Sequence, residues 1–128
     1  MTHLTEITVR TYECDEYGHV NNAVYLHYLE HARVIYLQER GFPYRELREE
    51  GLGVVVTEIH IQYKHELKPG DFFVVHTESL KVGAVSGTFS QKLFRDEVLC
   101  AQAEVTWVMT DKEGRPTRLR DEHRAALE

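Results

Sequence analysis

The eleven residues from Asp15 to Tyr25, Asp-Glu-Tyr-Gly-His-Val-Asn-Asn-Ala-Val-Tyr, put one carboxylate in a turn just ahead of a helix start. Gly18 can take backbone angles that other residues avoid, and Asn21 or Asn22 can cap the helix by accepting a bond from its free N–H groups. The Asp15 carboxylate is thereby brought close to uncompensated backbone donors. Such donors favour developing negative charge, so an acyl group bound there meets a base or nucleophile and an oxyanion site together. The plainer reading of Asp15 is an acidic side chain that meets the helix dipole and does nothing more.

Three other groups invite chemistry. His19 is a candidate general base, because histidine titrates near neutral pH, and equally a candidate for a hydrogen bond that holds the loop. His27 and His31 lie four apart with Glu30 between them, but the order His-Tyr-Leu-Glu-His is not the His-Glu-x-x-His of zinc proteases. No third ligand is evident, which favours a solvated helix face over a metal site. Cys14 sits beside Asp15, and extended backbone sends adjacent side chains to opposite faces, which argues against a thiol sharing the carboxylate's site.

The elements that must position these groups are legible in the pattern. Leu4, Glu6, Thr8 and Arg10 alternate with Thr5, Ile7, Val9 and Thr11, predicting a short strand before the turn. From Asn22 to Arg40, Tyr25, Leu26, Leu29, Ala32, Tyr36 and Leu37 recur at helical spacing, and Gly41 is a plausible stop. A short second helix is expected over 43–50. A strand follows over 54–66, its first half apolar on both faces, and Lys68-Pro69-Gly70-Asp71 is a turn. Three further strands are expected at 71–81, 86–95 and 98–110. In the last, Ala101, Ala103, Val105, Trp107 and Met109 share one face, small enough at its start to admit a helix. A helical turn is expected after Pro116. One long helix followed by four strands fits an α+β sheet of about five antiparallel strands wrapped around that helix. Such a sheet has edges to cover, and two copies can join them into one dimeric sheet.

Residues 12–33 resemble the hotdog-fold acyl-CoA thioesterases of the 4-hydroxybenzoyl-CoA thioesterase type. They are closest to the bacterial long-chain acyl-CoA branch, with its Asp, three residues, His-Val-Asn-Asn, three residues ending in Tyr, then Glu-x-Ala-Arg. The resemblance continues more loosely through Pro69-Gly70-Asp71, Ser86-Gly87 and the strand from Ala101 to Met109. It implies a hotdog fold and hydrolysis of an acyl-CoA thioester to a free acid and coenzyme A, without a cofactor. It implies Asp15 as the catalytic carboxylate, attacking directly or activating water. The backbone N–H of Asn22 or Ala23 would be the oxyanion donor, with Tyr25 at a matching position and His19 shaping the loop. Some relatives have histidine where Asn22 stands, so their carboxylate–histidine pairing does not carry over. Ser86 and Gly87 match the family's coenzyme A turn, but its lysine is missing from Gly83-Ala84-Val85-Ser86-Gly87. Lys81 is the nearby substitute for a phosphate contact, and a carrier-protein thioester is an alternative substrate. The resemblance further implies a homodimer with sites at the subunit interface, pairing into a homotetramer. The rival reading is a non-catalytic acyl-thioester-binding or regulatory hotdog protein.

Composition sets the outer bounds. A chain of 128 residues is the size of one domain, expected to span 1–128 without staples. Cys14 and Cys100 are far apart and suggest two reduced thiols in a cytoplasmic protein. With 21 acidic residues against 15 Lys and Arg the formal charge is −6, which argues against a nucleic-acid partner. No apolar run approaches the ~20 residues needed to cross a bilayer, and no leader is expected at the amino terminus.

Overall fold

The computed structural model describes residues 2–128. The chain runs β1 (His3–Thr8), a 3-10 turn (Thr11–Glu13), α1 (Val24–Glu39), α2 (Tyr44–Glu49), β2 (Gly53–Tyr63), β3 (Phe72–Val82), β4 (Ser86–Arg95), β5 (Val98–Thr110) and α3 (Asp121–Leu127). All strand pairings are antiparallel and the order across the sheet is β1-β3-β4-β5-β2. This is the α+β arrangement that the pattern predicts, a five-stranded sheet with one long helix. The helical turn expected after Pro116 is α3, which begins five residues later.

The alternation of β5 is realised as written: Ala101, Ala103, Val105, Trp107 and Met109 are all buried. Ala101 and Ala103 pack in one apolar cluster with Leu29 and Ala32 of α1, while Trp107 and Met109 join a second with Tyr36 and Leu37. Small side chains let the helix sit low at one end of the sheet, and the indole fills the wider space at the other. Between the clusters runs a polar band that periodicity does not show. Arg33 is buried and donates from Nη1 to Gln91 Oε1 at 3.0 Å, and Gln91 Nε2 donates to the Leu29 carbonyl at 2.9 Å and to Thr77 Oγ1 at 3.1 Å. Burial pulls the Arg33 pKa down, yet a guanidinium holds its charge, and the carboxamide of Gln91 is what makes its burial tolerable.

Two expectations need correction. Leu26, placed on the buried stripe of α1, is 39% exposed, and its share of the helix face is taken by Tyr28 and Arg33. The first half of β2 is not covered on both faces: Val55 and Val56 are 48% and 40% exposed, because β2 lies at the sheet edge. A run of valines reads locally like a central strand, and only the pairing order makes it an edge. Among the described residues no helix is long and apolar enough to cross a membrane.

Candidate active site

The turn carrying Asp15 is fastened before α1 begins. Cys14 and Val20 form an isolated antiparallel bridge, the Asp15 N–H donates to the His19 carbonyl at 3.0 Å, and Gly18 closes the loop with φ 82° and a bond to the Asp15 carbonyl. The loop is tied to the connection between β2 and β3 through the Val20 N–H, which donates to the Leu67 carbonyl at 2.8 Å. It is tied to α1 through Glu13, whose Oε1 accepts from the Tyr28 hydroxyl at 2.9 Å while its Oε2 meets the Arg10 guanidinium at 2.6 Å. Burial works to raise the Glu13 pKa, but the Arg10 and Tyr28 hydrogen bonds outweigh it and hold the carboxyl below its ordinary value.

On this base the Asp15 side chain is 26% exposed. Its Oδ1 accepts from the Tyr17 N–H at 2.9 Å, an Asx turn that orients the carboxylate. At the helix start the two asparagines divide the labour. Asn21 Oδ1 accepts the Ala23 N–H at 2.9 Å, so Ala23, one of the two expected oxyanion donors, is already satisfied. The N–H groups of Asn22 and Tyr25 have no acceptor among the described residues. Free donors at the first turn of a helix favour negative charge, which leaves Asn22, joined by Tyr25, as the backbone pair able to meet an oxyanion.

A cavity of about 330 Å³ opens over these groups, lined on one side by Asp15, His19, Val20, Asn22 and Tyr25. The Tyr25 ring is buried and packs edge-on against Tyr63, with centroids 5.0 Å apart. Burial pushes its hydroxyl pKa up to about 12, so it remains a neutral phenol on the cavity wall. The Tyr63 hydroxyl donates to the Asn22 carbonyl at 2.9 Å and pins the end of β2 to the helix start. The far wall, Tyr63, Lys64, His65 and Glu66, comes from some fifty residues along the chain and was not among the sequence candidates. No local signal marks it, since its only distinction is to follow a strand whose end lies beside α1. A larger groove of about 630 Å³ lies on the opposite, solvated face of the sheet among Glu58, His60, Gln62, Lys92 and Glu104. It has no helix start, and the candidate residues at the head of α1 gather at the smaller cavity instead.

The other candidates fall as follows. The His19 ring lies between two carboxylates, with Nδ1 4.0 Å from Asp15 Oδ1 and Nε2 3.9 Å from Glu66 Oε2; neither distance is a hydrogen bond. Cys14 does not line the cavity. Its side chain packs on the apolar cluster under α1, and burial, together with the charges of Asp15 and Glu13, raises the thiol pKa and disfavours a thiolate. His27 and His31 lie on an exposed face of α1, and among the described residues no three His, Cys, Asp or Glu side chains are grouped to hold a metal ion. Ser86, Gly87 and Lys81 are not brought to Asp15 within one chain. They sit where β4 pairs with the end of β5 at Val108 and Trp107, whereas the cavity is at the other end, where Tyr63 pairs with Ala101. Gly87 also has a packing reason to be glycine. A Cβ there would run into the Trp107 ring and come within 2.6 Å of the Lys81 carbonyl.

The sequence model of the thioesterase-like superfamily matches residues 9–127. The long-chain acyl-CoA thioesterase FadM of Escherichia coli is 33% identical over 127 residues, which cover 97% of this chain and 96% of that protein. The chloroplastic acyl-acyl carrier protein thioesterase ATL2 of Arabidopsis thaliana is 33% identical over 121 residues, 91% of this chain but only 63% of its own length. Among solved structures, a hypothetical protein from Aquifex aeolicus superposes with a TM-score of 0.92 at 30% identity, covering 98% of this chain and 99% of that one.

Proposed function

The chain belongs to the thioesterase-like superfamily and is a thioester hydrolase of the hotdog fold, and from that premise we propose that it cleaves acyl-CoA with Asp15 as the reacting carboxylate. The observation that carries the reading is the placement of the Asp15 side chain in a cavity whose floor holds the free Asn22 and Tyr25 N–H groups. A thioester carbonyl seated there points its oxygen at the helix start and its carbon at the carboxylate. Asp15 then activates water or attacks directly, and the backbone donors take up the charge that develops on oxygen. The Tyr25 ring fixes the apolar wall against which the acyl group lies.

The working unit in this reading is a dimer. The β2 edge exposes Val56 and Tyr63 on the helix side of the sheet. Antiparallel pairing of two β2 edges across a two-fold axis would lay the Gly53 end of one copy beside the Tyr63 end of the other. Ser86, Gly87 and Lys81 stand at the Gly53 end of the sheet, so in such a dimer they approach the other copy's Asp15 cavity and are available to coenzyme A phosphates. A carrier-protein thioester is the second substrate class, favoured by the name of the chloroplast relative.

The test is thiol release from short, long and aromatic acyl-CoA and from acyl carrier protein, for wild type and Asp15→Asn. Asparagine keeps the turn and loses the basic oxygen, so kcat should fall on the order of 10²–10⁴-fold with the fold retained. A folded Asp15→Asn enzyme with wild-type kcat would overturn the assignment.

A further inference from the structure

The geometry points to a second carboxylate in the machinery: Glu66 orients His19 so that its imidazolium protonates the departing thiolate. This rests on the reading of Asp15 as the reacting group and adds an acid to it.

Glu66 is held first at its backbone. Its carbonyl accepts from Arg95 Nη1 at 2.7 Å, and Arg95 is steadied in turn by Asp71 at 3.3 Å. Of its carboxylate oxygens, Oε1 faces the Lys68 ammonium at 3.4 Å, and Oε2 is left toward His19 Nε2 at 3.9 Å. The ring plane of His19 is set by stacking on Tyr17, with centroids 6.1 Å apart and planes 15° from parallel. The ring therefore has one nitrogen toward each carboxylate, Nε2 toward Glu66 and Nδ1 toward Asp15. The array is linear, unlike the convergent ligands of a metal site. A surface ion pair alone is worth little, but all three side chains line the cavity at whose floor the carbonyl would react. Separations near 4 Å are of the kind that tighten when substrate excludes water. The other charged groups at this wall are Lys64 and His65, anchored through their N–H groups to the Cys100 carbonyl.

As the tetrahedral intermediate collapses, the C–S bond breaks and its electron pair goes to sulfur, which takes the proton from Nδ1. Glu66 keeps the Nε2 proton throughout and so fixes which nitrogen is left basic. If Asp15 has activated water, it holds the water's proton and returns it to Nδ1; if Asp15 has attacked, the neutral ring takes that proton directly as water opens the anhydride. Either way thioester and water become acid and thiol, and both side chains are restored.

The test compares two thioesters of the same acyl group, acyl-CoA and an aryl thioester whose thiolate leaves without a proton. His19→Gln and Glu66→Gln should lower kcat/KM on acyl-CoA by about 10²-fold or more, in the range of general acid catalysis. Both should lose far less kcat/KM on the aryl ester, because kcat/KM reports the steps up to thiolate departure and not the later opening of an anhydride, and Glu66→Asp should recover part of the loss. Equal losses on both esters would mean that the pair only shapes the loop, and no loss on either would mean that it is idle; each overturns the proposal. Asp15→Asn should lose both esters, and retention of both by that variant would sink the underlying reading instead.

Discussion

The Asn21 carboxamide accepts the backbone N–H of Ala23 at 2.9 Å, and that bond decides which donors at the head of α1 stay free. It removes Ala23 from the group and leaves the neighbouring Asn22 N–H without an acceptor among the described residues. Asn21→Ala should therefore weaken the cap, at about 0.5–2 kcal/mol of stability, and lower kcat as the first turn loosens. Asn21→Asp keeps an acceptor and should keep the stability while placing a charge beside the developing oxyanion, so kcat should fall on its own. Urea unfolding and steady-state kinetics on the two variants separate these effects.

Gly87→Ala should destabilise the protein by about 1–3 kcal/mol, the usual range for overpacking. The added Cβ meets the rigid Trp107 ring and the Lys81 backbone, neither of which is the free end of a flexible chain. Chemical denaturation measures the loss. A variant as stable as wild type would show that the indole can shift at little cost, and would remove the packing reason for this glycine.

Val56→Glu should leave the protomer fold intact, because residue 56 is 40% exposed, while preventing two β2 edges from joining. Light scattering after gel filtration should show a monomer where wild type shows at least a dimer, and turnover should fall with it. A monomeric wild type that still hydrolyses acyl-CoA would contradict the shared site.

His123 should make the fold sensitive to mild acid. It is 1% exposed, its Nδ1 accepts the Arg120 N–H at 3.3 Å, and its Nε2 has no hydrogen-bond partner. Burial lowers its pKa below the ordinary 6.5, against the smaller opposing pull of Glu122. The unfolded chain then takes up a proton before the folded one does. The stability linked to this group is present above pH 6.5 and is lost as pH falls through the lower folded value. Thermal unfolding at pH 7.5 and 5.5 should show a larger drop for wild type than for His123→Gln, which keeps the capping acceptor and does not titrate.

What the sequence determined by itself is what nearest neighbours along the chain decide. Period-two alternation fixed the buried face of β5 from Ala101 to Met109, helical spacing fixed α1, and Gly18 with the two asparagines fixed a turn that presents Asp15 ahead of free N–H groups. Each of these depends on a few bonded residues and one repeating geometry, and the one lapse, Leu26, is a question of which helix face the core takes. The tertiary structure decided the rest. Strand order made β2 an edge and exposed Val55 and Val56, although their run of valines reads like a buried strand. Packing of α1 on β4 drew Arg33 into the core, where Gln91 meets its guanidinium. The same sheet order carried Ser86, Gly87 and Lys81 away from Asp15 and brought Tyr63 and Glu66 to it across some fifty residues. Meetings of that kind follow from which strands pair and which helix face is buried, a choice made by the whole core at once, and no local pattern in the chain encodes it.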